Sequence, residues 1–458
     1  MSSKSPQRTL LLIIVLAALL RTAVIVWVPT LPISDFWSYL SRAQNLVEHG
    51  EYAPFPGAPD ASYPPAYPLL LTAAVLLPGD SVTNAKAINV TLGILLVVLS
   101  WALARRLWGP REAAATAIVV ALYPRYILLP TLLASENLFA PLLLAWLLLA
   151  VSSFMGDRPL KAAAWAGVIL GLLTLTRSAG YLLWVLWPIA GIAAGKRWRM
   201  IMRELVLLVV VQHAVLLPWA VRNSRTFGDF SFLTSTRGIN LFIGNRPEAN
   251  GRWSQWLPDL QRIDPEIRSR NPFEQSRIAG REGRRWIVRH PLDAIRLDVK
   301  KLFMLVTDSE RYLVFYTVSG SSRSVPPGGA DVLPIDHPAR RNATLLLSLL
   351  NISFFAVGVL QVLGGLILLR RARRTAHRET AAGVILLGGT AAYFLLTASV
   401  FFAASRFRWP AIDALMPLAG FVLASLARRG STGHRPRCDA GLEDLNRENE
   451  TPPPRQLG

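Results

Sequence analysis

Two acidic residues stand where a carboxylate is unusual and could do chemistry. Asp35 follows the first long apolar run, and Glu136 lies among leucines at the start of a later one. A carboxylate at membrane depth is costly and by default marks a pathway or a site. The alternative for each acid is a helix cap, because a helix start favours negative charge. The sequence therefore predicts an acid-bearing site at these two positions, with capping as the simpler interpretation.

Five arginines near the ends of apolar runs could bind phosphate. Arginine forks match phosphate oxygens bidentately, and a desolvated site strengthens such pairs. For any single arginine, the alternative is a side chain that only extends toward lipid headgroups. Several arginines together with two acids favour a site for a phosphate-bearing ligand. The five are Arg125, Arg177, Arg222, Arg406 and Arg408.

The segment 30–84, between the first two apolar runs, is longer than a connector needs. Ser34 or Asp35 can cap a short helix there, and Tyr39 would share a helix face with Asp35 because the two are one turn apart. Tyr63 and Tyr67 lie in a proline-rich stretch, where helix is disfavoured and aromatic rings suit a membrane interface. The three tyrosines are predicted to belong to a substrate-binding loop.

Several motifs of common enzymes are missing from the sequence. It contains no C-x-x-C pair, no H-E-x-x-H, no phosphate-binding loop and no G-x-S-x-G. No cofactor is indicated with certainty, a divalent metal stays open, and its ligands are unknown. The single cysteine, Cys438, excludes an intramolecular disulfide. His213, inside an apolar run, is interpreted as a hydrogen-bonded core histidine.

The composition is that of a protein built into a membrane. Of 458 residues, 52% are hydrophobic and 17% are charged, whereas a soluble domain is about a quarter charged. Apolar runs of about 20 residues cross about 30 Å of hydrocarbon. The first is expected to be a span and not a cleaved signal peptide, since it is too long and no cleavage site follows it. The ten predicted spans are 9–29, 86–104, 113–131, 137–155, 162–176, 180–195, 203–221, 343–369, 380–402 and 409–427.

Loop charge predicts the orientation of these spans. The short loops 105–112, 156–162, 196–203 and 370–379 hold 14 Lys or Arg in 33 residues, whereas the alternate loops hold four in 72. Positive loops stay inside, so both termini are predicted to be cytoplasmic in a multi-pass protein of the cell (plasma or inner) membrane. The predicted parts are a transmembrane catalytic module at 1–221 with its first outer loop at 30–85, an outer basic domain at 222–341, C-terminal spans at 342–427 and a disordered tail at 428–458.

The outer segment 222–341 carries about twenty basic residues and contributes much of the net charge of +20. One interpretation is a surface attracted to anionic lipid headgroups. The other is a site for phosphate-bearing lipids or acidic glycans. Nucleic acid is not expected as a partner on the outer side of a membrane.

The order of several motifs resembles the C-type membrane glycosyltransferases, specifically the bacterial relatives of the protein O-mannosyltransferases and the lipid A aminoarabinose transferases. The likeness covers most of residues 9–427. Its motifs are the first-loop Asp35 with Tyr39, Ala43 and Gly50-Glu51-Tyr52, the YPPAYPLLL run at 63–71, Ser135-Glu136-Asn137, the PWAVRN, FGDF and GINLFIGN runs at 218–223, 227–230 and 238–245, and the amphipathic stretch 286–302.

This resemblance implies an all-α polytopic fold of the C-type glycosyltransferase kind, with a mixed or helical outer segment. It also implies a polyprenyl-phosphate-linked sugar donor and a hydroxyl acceptor on a lipid, glycan or protein, usually with inversion. Asp35 matches the family's first-loop acid, the proposed general base, and Glu136 matches the second-loop acid that assists it or organises the site. The sequence departs from the pattern at Phe36, where many relatives have a second acid, and ten spans is slightly below the usual number.

Two other functions stay open. A lipid or small-solute transporter would show internal repeats and acids at mid-span, whereas here no repeat stands out and both acids lie at span ends. A glycan polymerase or ligase would use similar lipid-linked donors with oligosaccharide cargo.

Overall fold

The computed structural model describes residues 6–156, 158–321, 338–375 and 378–432. These residues form helices joined by turns, with one isolated β-bridge between Arg252 and Ala403. The first ten helices are α1 (Pro6–Trp27), α2 (Asp35–His49), α3 (Ala66–Leu76), α4 (Ser81–Leu107), α5 (Pro110–Leu122), α6 (Pro124–Leu128), α7 (Glu136–Met155), α8 (Pro159–Thr176), α9 (Leu186–Ala193) and α10 (Trp198–Phe227). They are followed by α11 (Thr236–Gly244), α12 (Leu257–Ile263), α13 (Pro272–Arg289), α14 (Pro291–Thr307), α15 (Arg311–Ser321), α16 (Pro338–Thr375), α17 (Arg378–Val400) and α18 (Trp409–Thr432). The predicted all-α polytopic fold is confirmed.

Eight helices within the described ranges are long and apolar enough to cross a membrane, namely α1, α4, α7, α8, α10, α16, α17 and α18. The predicted third span, 113–131, is two helical pieces bent by 57°, which count as a ninth span if taken together. The predicted sixth span, 180–195, corresponds to the shorter apolar segment Ser178–Ala193. This segment starts with two 3₁₀ turns and ends with α9, so it lacks the length of a regular span.

The bend in the third span has an identifiable cause at Pro124. A proline has no N–H to donate, so the carbonyl of Val120, four residues earlier, loses its helical partner. Arg21 of α1, which is fully buried, fills this gap. Its guanidinium donates to the carbonyl of Val120 at 3.1 Å and to that of Ala121 at 3.3 Å. Helix α1 therefore braces the bend that leads to Glu136.

The first loop, 30–84, contains the predicted short helix, α2, but its start is not capped as predicted. Ser34 takes φ 55° and makes no capping hydrogen bond, and both carboxylate oxygens of Asp35 bind side chains. The expectation that helix is disfavoured at 63–71 is wrong from Ala66 onward, where α3 begins. Pro68 lies in its first turn, where a missing N–H costs no hydrogen bond.

The segment predicted as an outer domain is helical in its described part, so the helical alternative is correct. Helix α11 packs against α13, and α14 packs against the span α17. The amphipathic stretch 286–302 is split between α13 and α14 at Pro291. Helix α18 continues to Thr432, a few residues into the tail predicted to be disordered. The rest of that tail, with Cys438, lies outside the described residues, and the domain boundaries stay a prediction.

Candidate functional site

The carboxylate of Asp35 is held between two side chains that are distant in sequence. Tyr63 donates to Oδ1 at 2.7 Å, and Arg406 donates from Nη1 to Oδ2 at 2.8 Å. Arg406 comes from the 3₁₀ turn Ser405–Arg408 that precedes α18. The side chains of Asp35 and Arg406 are 24% and 20% exposed, so the pair lies at the edge of the protein interior and within reach of a ligand.

The surroundings of Asp35 determine its protonation state. Burial alone would raise the pKa of Asp35, but the positive charge of Arg406 and the hydrogen bonds from Tyr63 and Arg406 outweigh burial and lower it below its usual value. The charge of Arg177 acts in the same direction. Asp35 is therefore ionised at neutral pH and can accept a proton.

The second predicted acid, Glu136, forms its own ion pair with Arg177. Glu136 is buried at the start of α7, and Arg177 follows the end of α8. The hydroxyl of Ser135 donates to Glu136 at 3.4 Å and accepts from Arg177 at 3.3 Å. Glu136 also lines a small cavity together with Tyr126 and Asn137. Each acid thus faces one of the predicted arginines.

Tyr39 connects the two acid–arginine pairs. It lies one turn after Asp35 on α2, and its hydroxyl donates to the Ser135 hydroxyl beside Glu136 at 3.2 Å. Burial, followed by the negative charges of Asp35 and Glu136, raises the pKa of Tyr39 to about 12, so the phenol stays protonated. The guanidiniums of Arg406 and Arg177 also share one ring, that of Phe407, at 5.5 and 5.9 Å from its centroid. The two pairs therefore form one site.

The other predicted tyrosines have different environments. Tyr63 belongs to the site through Asp35, and Arg42 lies 4.6 Å from the centroid of its ring. Arg42 is in turn paired with Asp60 of the same loop. Tyr67 is fully buried and donates to Asn89 at 3.0 Å, so it supports the loop from inside the bundle.

Arg125 and Arg408, predicted to bind phosphate, are both buried in internal ion pairs. Arg125 pairs with Asp413, and Arg408 donates to Glu310 at 2.8 Å. The indole of Trp409 joins these pairs, since it donates to Glu310 at 3.0 Å and its ring lies 5.1 Å from the guanidinium of Arg125. Neither arginine is paired with Asp35 or Glu136, and the phosphate-binding role of Arg125 and Arg408 stays a prediction.

Arg222 lies among aromatic rings at the end of α10. Its guanidinium is 5.6 Å from the ring centroid of Tyr52 and 5.1 Å from those of Trp219 and Phe227. It donates to the backbone carbonyl of Tyr52 at 3.0 Å and to Asn223 at 3.1 Å. Arg222 therefore fixes the Gly50-Glu51-Tyr52 turn of the first loop to α10, and its phosphate-binding role stays a prediction.

His213, interpreted as a core histidine, is hydrogen-bonded to the carbonyl of Val209 at 2.8 Å and to the hydroxyl of Tyr181 at 3.0 Å.

No group of three or more His, Cys, Asp or Glu in the described part of the chain could hold a metal ion. The site offers two carboxylates, two arginines and three tyrosine hydroxyls, those of Tyr39, Tyr63 and Tyr312. These groups can accept a proton and bind an anion.

Three residues of this region were missed by sequence reasoning. The Tyr312 hydroxyl accepts from Arg406 at 2.5 Å, Glu310 holds Arg408 and Trp409, and Asp413 holds Arg125. Asp413 had a signal, because a carboxylate inside an apolar run demands a buried partner. The other two lie in the short run 308–312, where nothing in the sequence points to 405–409.

The fold and the site together define a polytopic, all-α membrane protein with two acid–arginine pairs. Residues 62–221 match the family model described as dolichyl-phosphate-mannose-protein mannosyltransferase. This match supports the resemblance to that family over those residues. The matched range includes Glu136 and Arg177, whereas Asp35 and Arg406 lie outside it.

Relatives are similar to this chain in sequence over part of its length and in structure over most of it. An undecaprenyl phosphate-alpha-4-amino-4-deoxy-L-arabinose arabinosyl transferase from Pseudomonas paraeruginosa is 27% identical over 197 residues, which cover 40% of this chain and 34% of that protein. The chain thus spans about a third of the length of the curated relatives that it matches. The oligosaccharyltransferase AglB from Archaeoglobus fulgidus, in complex with an inhibitory peptide and a dolichol-phosphate, aligns with a TM-score of 0.52 at 18% identity and covers 93% of this chain and 52% of that chain. The likeness to AglB shows a common fold.

Proposed function

We propose that the chain transfers a sugar from a polyprenyl-phosphate-linked donor to a hydroxyl acceptor on the outer face of the membrane. The observation that carries this proposal is the joined site of two acid–arginine pairs, Asp35 with Arg406 and Glu136 with Arg177, at the loop ends of the spans. Such a site combines a proton acceptor with anion-binding groups. Both are needed when a hydroxyl displaces a phosphate.

The proposed reaction is a single displacement at the anomeric carbon. Asp35 takes the proton of the acceptor hydroxyl as general base. The acceptor oxygen forms a bond to the anomeric carbon, the bond from that carbon to the phosphate oxygen breaks, and the electron pair leaves with the polyprenyl phosphate. Attack from the side opposite the phosphate inverts the configuration. Glu136 assists by orienting groups of the site through Ser135 and Arg177.

The two arginines have a second task in this reaction. The leaving phosphate gains negative charge, which a guanidinium stabilises through paired hydrogen bonds without proton transfer. When Arg406 turns toward the phosphate, its hold on Asp35 weakens and the pKa of Asp35 rises, because the arginine charge is what lowers it. Donor binding would thereby make Asp35 a stronger base for the acceptor.

The type of donor is supported by the relatives. The Pseudomonas relative is named for an undecaprenyl phosphate sugar, and the family model for dolichyl-phosphate-mannose. An isoprenoid tail requires access from the bilayer, so a site at the ends of apolar spans suits such a donor. The acceptor is a hydroxyl of a lipid, a glycan or a protein, and the sugar is not specified by these residues.

The direct test is a transfer assay with the purified protein. Undecaprenyl phosphate sugars of different types are supplied in turn, and release of undecaprenyl phosphate is measured with envelope lipids or peptides as acceptors. Mass spectrometry of glycolipids and glycoproteins from cells with and without the gene identifies the product. A transporter would leave the masses of these molecules unchanged and release no undecaprenyl phosphate, so that outcome would reject the proposal.

A further inference from the structure

We propose that Glu310 is a positioning residue that fixes Arg406 opposite Asp35, although Glu310 does not contact Asp35. The inference rests on the proposed function, in which Arg406 binds the donor phosphate. It assigns a role to a buried carboxylate that the transfer reaction itself does not use.

Glu310 is 1% exposed, and both of its carboxylate oxygens are occupied. Oε1 accepts from Arg408 at 2.8 Å, and Oε2 accepts from the indole N–H of Trp409 at 3.0 Å. Its backbone N–H donates to Asn351 at 3.0 Å, which ties this position to α16. Glu310 therefore fixes two consecutive residues at the junction between the 3₁₀ turn and α18.

The same segment holds the turn at further points. Arg408 also donates to the backbone carbonyl of Leu305 at 3.1 Å and to that of Asp308 at 2.5 Å. The hydroxyl of Tyr312, two residues after Glu310, accepts from Arg406 at 2.5 Å. The run 305–312 thus contacts residues 406, 408 and 409, on both sides of the site arginine.

The 3₁₀ turn Ser405–Arg408 is only four residues long, so Arg406 and Arg408 cannot move independently. The Arg408–Glu310 pair is buried, and a buried pair cannot lose one partner without a rearrangement around the remaining charge. Removing the charge of Glu310 would release Arg408 and shift the turn. Arg406 would then leave its place between Tyr312 and Asp35.

The test uses Glu310→Gln, which keeps the size of the side chain and an acceptor for Trp409 but removes the charge. A matched control is Glu204→Gln. Glu204 is also 1% exposed, and it accepts from the indole of Trp187 at 3.1 Å and from Lys196, in a cluster that shares no residue with the site. Both substitutions remove a buried carboxylate that holds a tryptophan and a cation, so a general loss of stability should affect both variants alike.

The first measurement is the affinity for undecaprenyl phosphate. It is obtained from the rise in unfolding temperature that this ligand causes in the purified protein in detergent. We expect Glu310→Gln to weaken binding about tenfold, because a displacement of about 1 Å in a positioned group costs up to about a hundredfold. Glu204→Gln should bind as the unaltered protein does. Tyr312→Phe removes only the hydroxyl next to Arg406, so it should also weaken binding. It leaves no buried charge without a partner, so it provides a second test if Glu310→Gln does not fold.

The second measurement is the pH dependence of kcat/KM in the transfer assay. Arg406 lowers the pKa of Asp35, so a displaced Arg406 lets that pKa rise. The acid side of the profile should then move to higher pH in Glu310→Gln and stay in place in Glu204→Gln. The charged and titratable groups that face Asp35 are Arg406, Tyr63, Arg177, Tyr39 and Tyr312.

Arg406→Ala, measured alongside, distinguishes the phosphate-binding role of Arg406 from the positioning role of Glu310. If Arg406→Ala leaves the affinity for undecaprenyl phosphate unchanged, the phosphate role in the proposed function fails. If Arg406→Ala weakens binding while Glu310→Gln and Tyr312→Phe match the Glu204→Gln control in affinity and pH profile, the positioning role of Glu310 is overturned and the proposed function stands.

Discussion

Replacing Asp35 by asparagine removes a negative charge and the ability to take up a proton, while the size of the side chain is kept. The amide oxygen can still accept the hydrogen bond that Tyr63 donates at 2.7 Å. What is lost is the charge that attracts Arg406 and the basic group of the proposed reaction. The substitution therefore tests the base with little change in packing.

The expected losses differ in size for catalysis and for stability. A general base contributes about 10²–10⁴-fold, which corresponds to roughly 3–5 kcal/mol, so turnover should fall by that factor. The ion pair between Asp35 and Arg406 is partly buried, with side chains 24% and 20% exposed, so its loss should cost more than the roughly 1 kcal/mol of an exposed pair and less than the loss of a fully buried one. The variant should still fold and insert while losing most of its turnover.

The assay compares turnover, undecaprenyl phosphate affinity and the unfolding temperature of the same purified samples. Asp80→Asn is the matched control, because Asp80 lies in the same loop and caps α4 by accepting from the Thr83 N–H at 2.9 Å and from its hydroxyl at 2.7 Å. Asparagine caps a helix about as well as aspartate does, so Asp80→Asn should lose only about 0.5 kcal/mol of stability, from the lost interaction of the charge with the helix dipole, and keep its turnover. If Asp35→Asn instead folds, binds undecaprenyl phosphate and turns over at a near-native rate, Asp35 is not the base and its ion pair is structural.

The remaining predictions concern other parts of the molecule. Glu136→Gln should reduce turnover less than Asp35→Asn does, and the double variant should lose less than the product of the two, because residues that act as a unit are not additive in turnover assays. A reporter fused after Arg371 should read cytoplasmic and one near Asn250 external; the same side for both would refute the topology. Ser34→Gly should raise the unfolding free energy by about 1 kcal/mol in denaturation experiments, since φ 55° strains a serine and not a glycine. The kcat/KM of the unaltered protein should persist as pH falls into the usual titration range of a carboxyl group, because Asp35 has a lowered pKa and stays ionised there; a loss at the usual carboxyl pKa would contradict this.

The helical bundle could be predicted from sequence because a membrane imposes a length on each apolar run. Runs of about 20 residues identify spans directly, and eight of the ten correspond to full-length helices in the described ranges. The two deviations arise because the length of an apolar run does not predict bends or 3₁₀ turns within it. Pro124 bends one span next to the buried Arg21. The segment Ser178–Ala193 begins with two 3₁₀ turns, and only its end, α9, is a regular helix.

The chemistry of the site was predictable by residue type, but the pairing of residues was not. Asp35 and Glu136 stand out because carboxylates are rare beside apolar runs. Which of five arginines faces them depends on packing between distant helices, so Arg177 and Arg406 could not be told apart from Arg125 and Arg408. Arg406 and Arg408 illustrate the difficulty. They lie two positions apart in one turn, yet Arg406 pairs with Asp35 of the candidate site and Arg408 pairs with the buried Glu310.

The ion pair of Asp35 with Arg406 joins positions that are 371 residues apart in the chain. A ribosome adds about 5–20 residues per second, so Arg406 is synthesised roughly 20–75 s after Asp35. Throughout that interval the growing chain presents Asp35 without its counter-charge, while the earlier helices are already made. The order of synthesis therefore makes completion of the site one of the last events in the biogenesis of the protein, and a chain interrupted before the 3₁₀ turn Ser405–Arg408 lacks the arginine that pairs with Asp35.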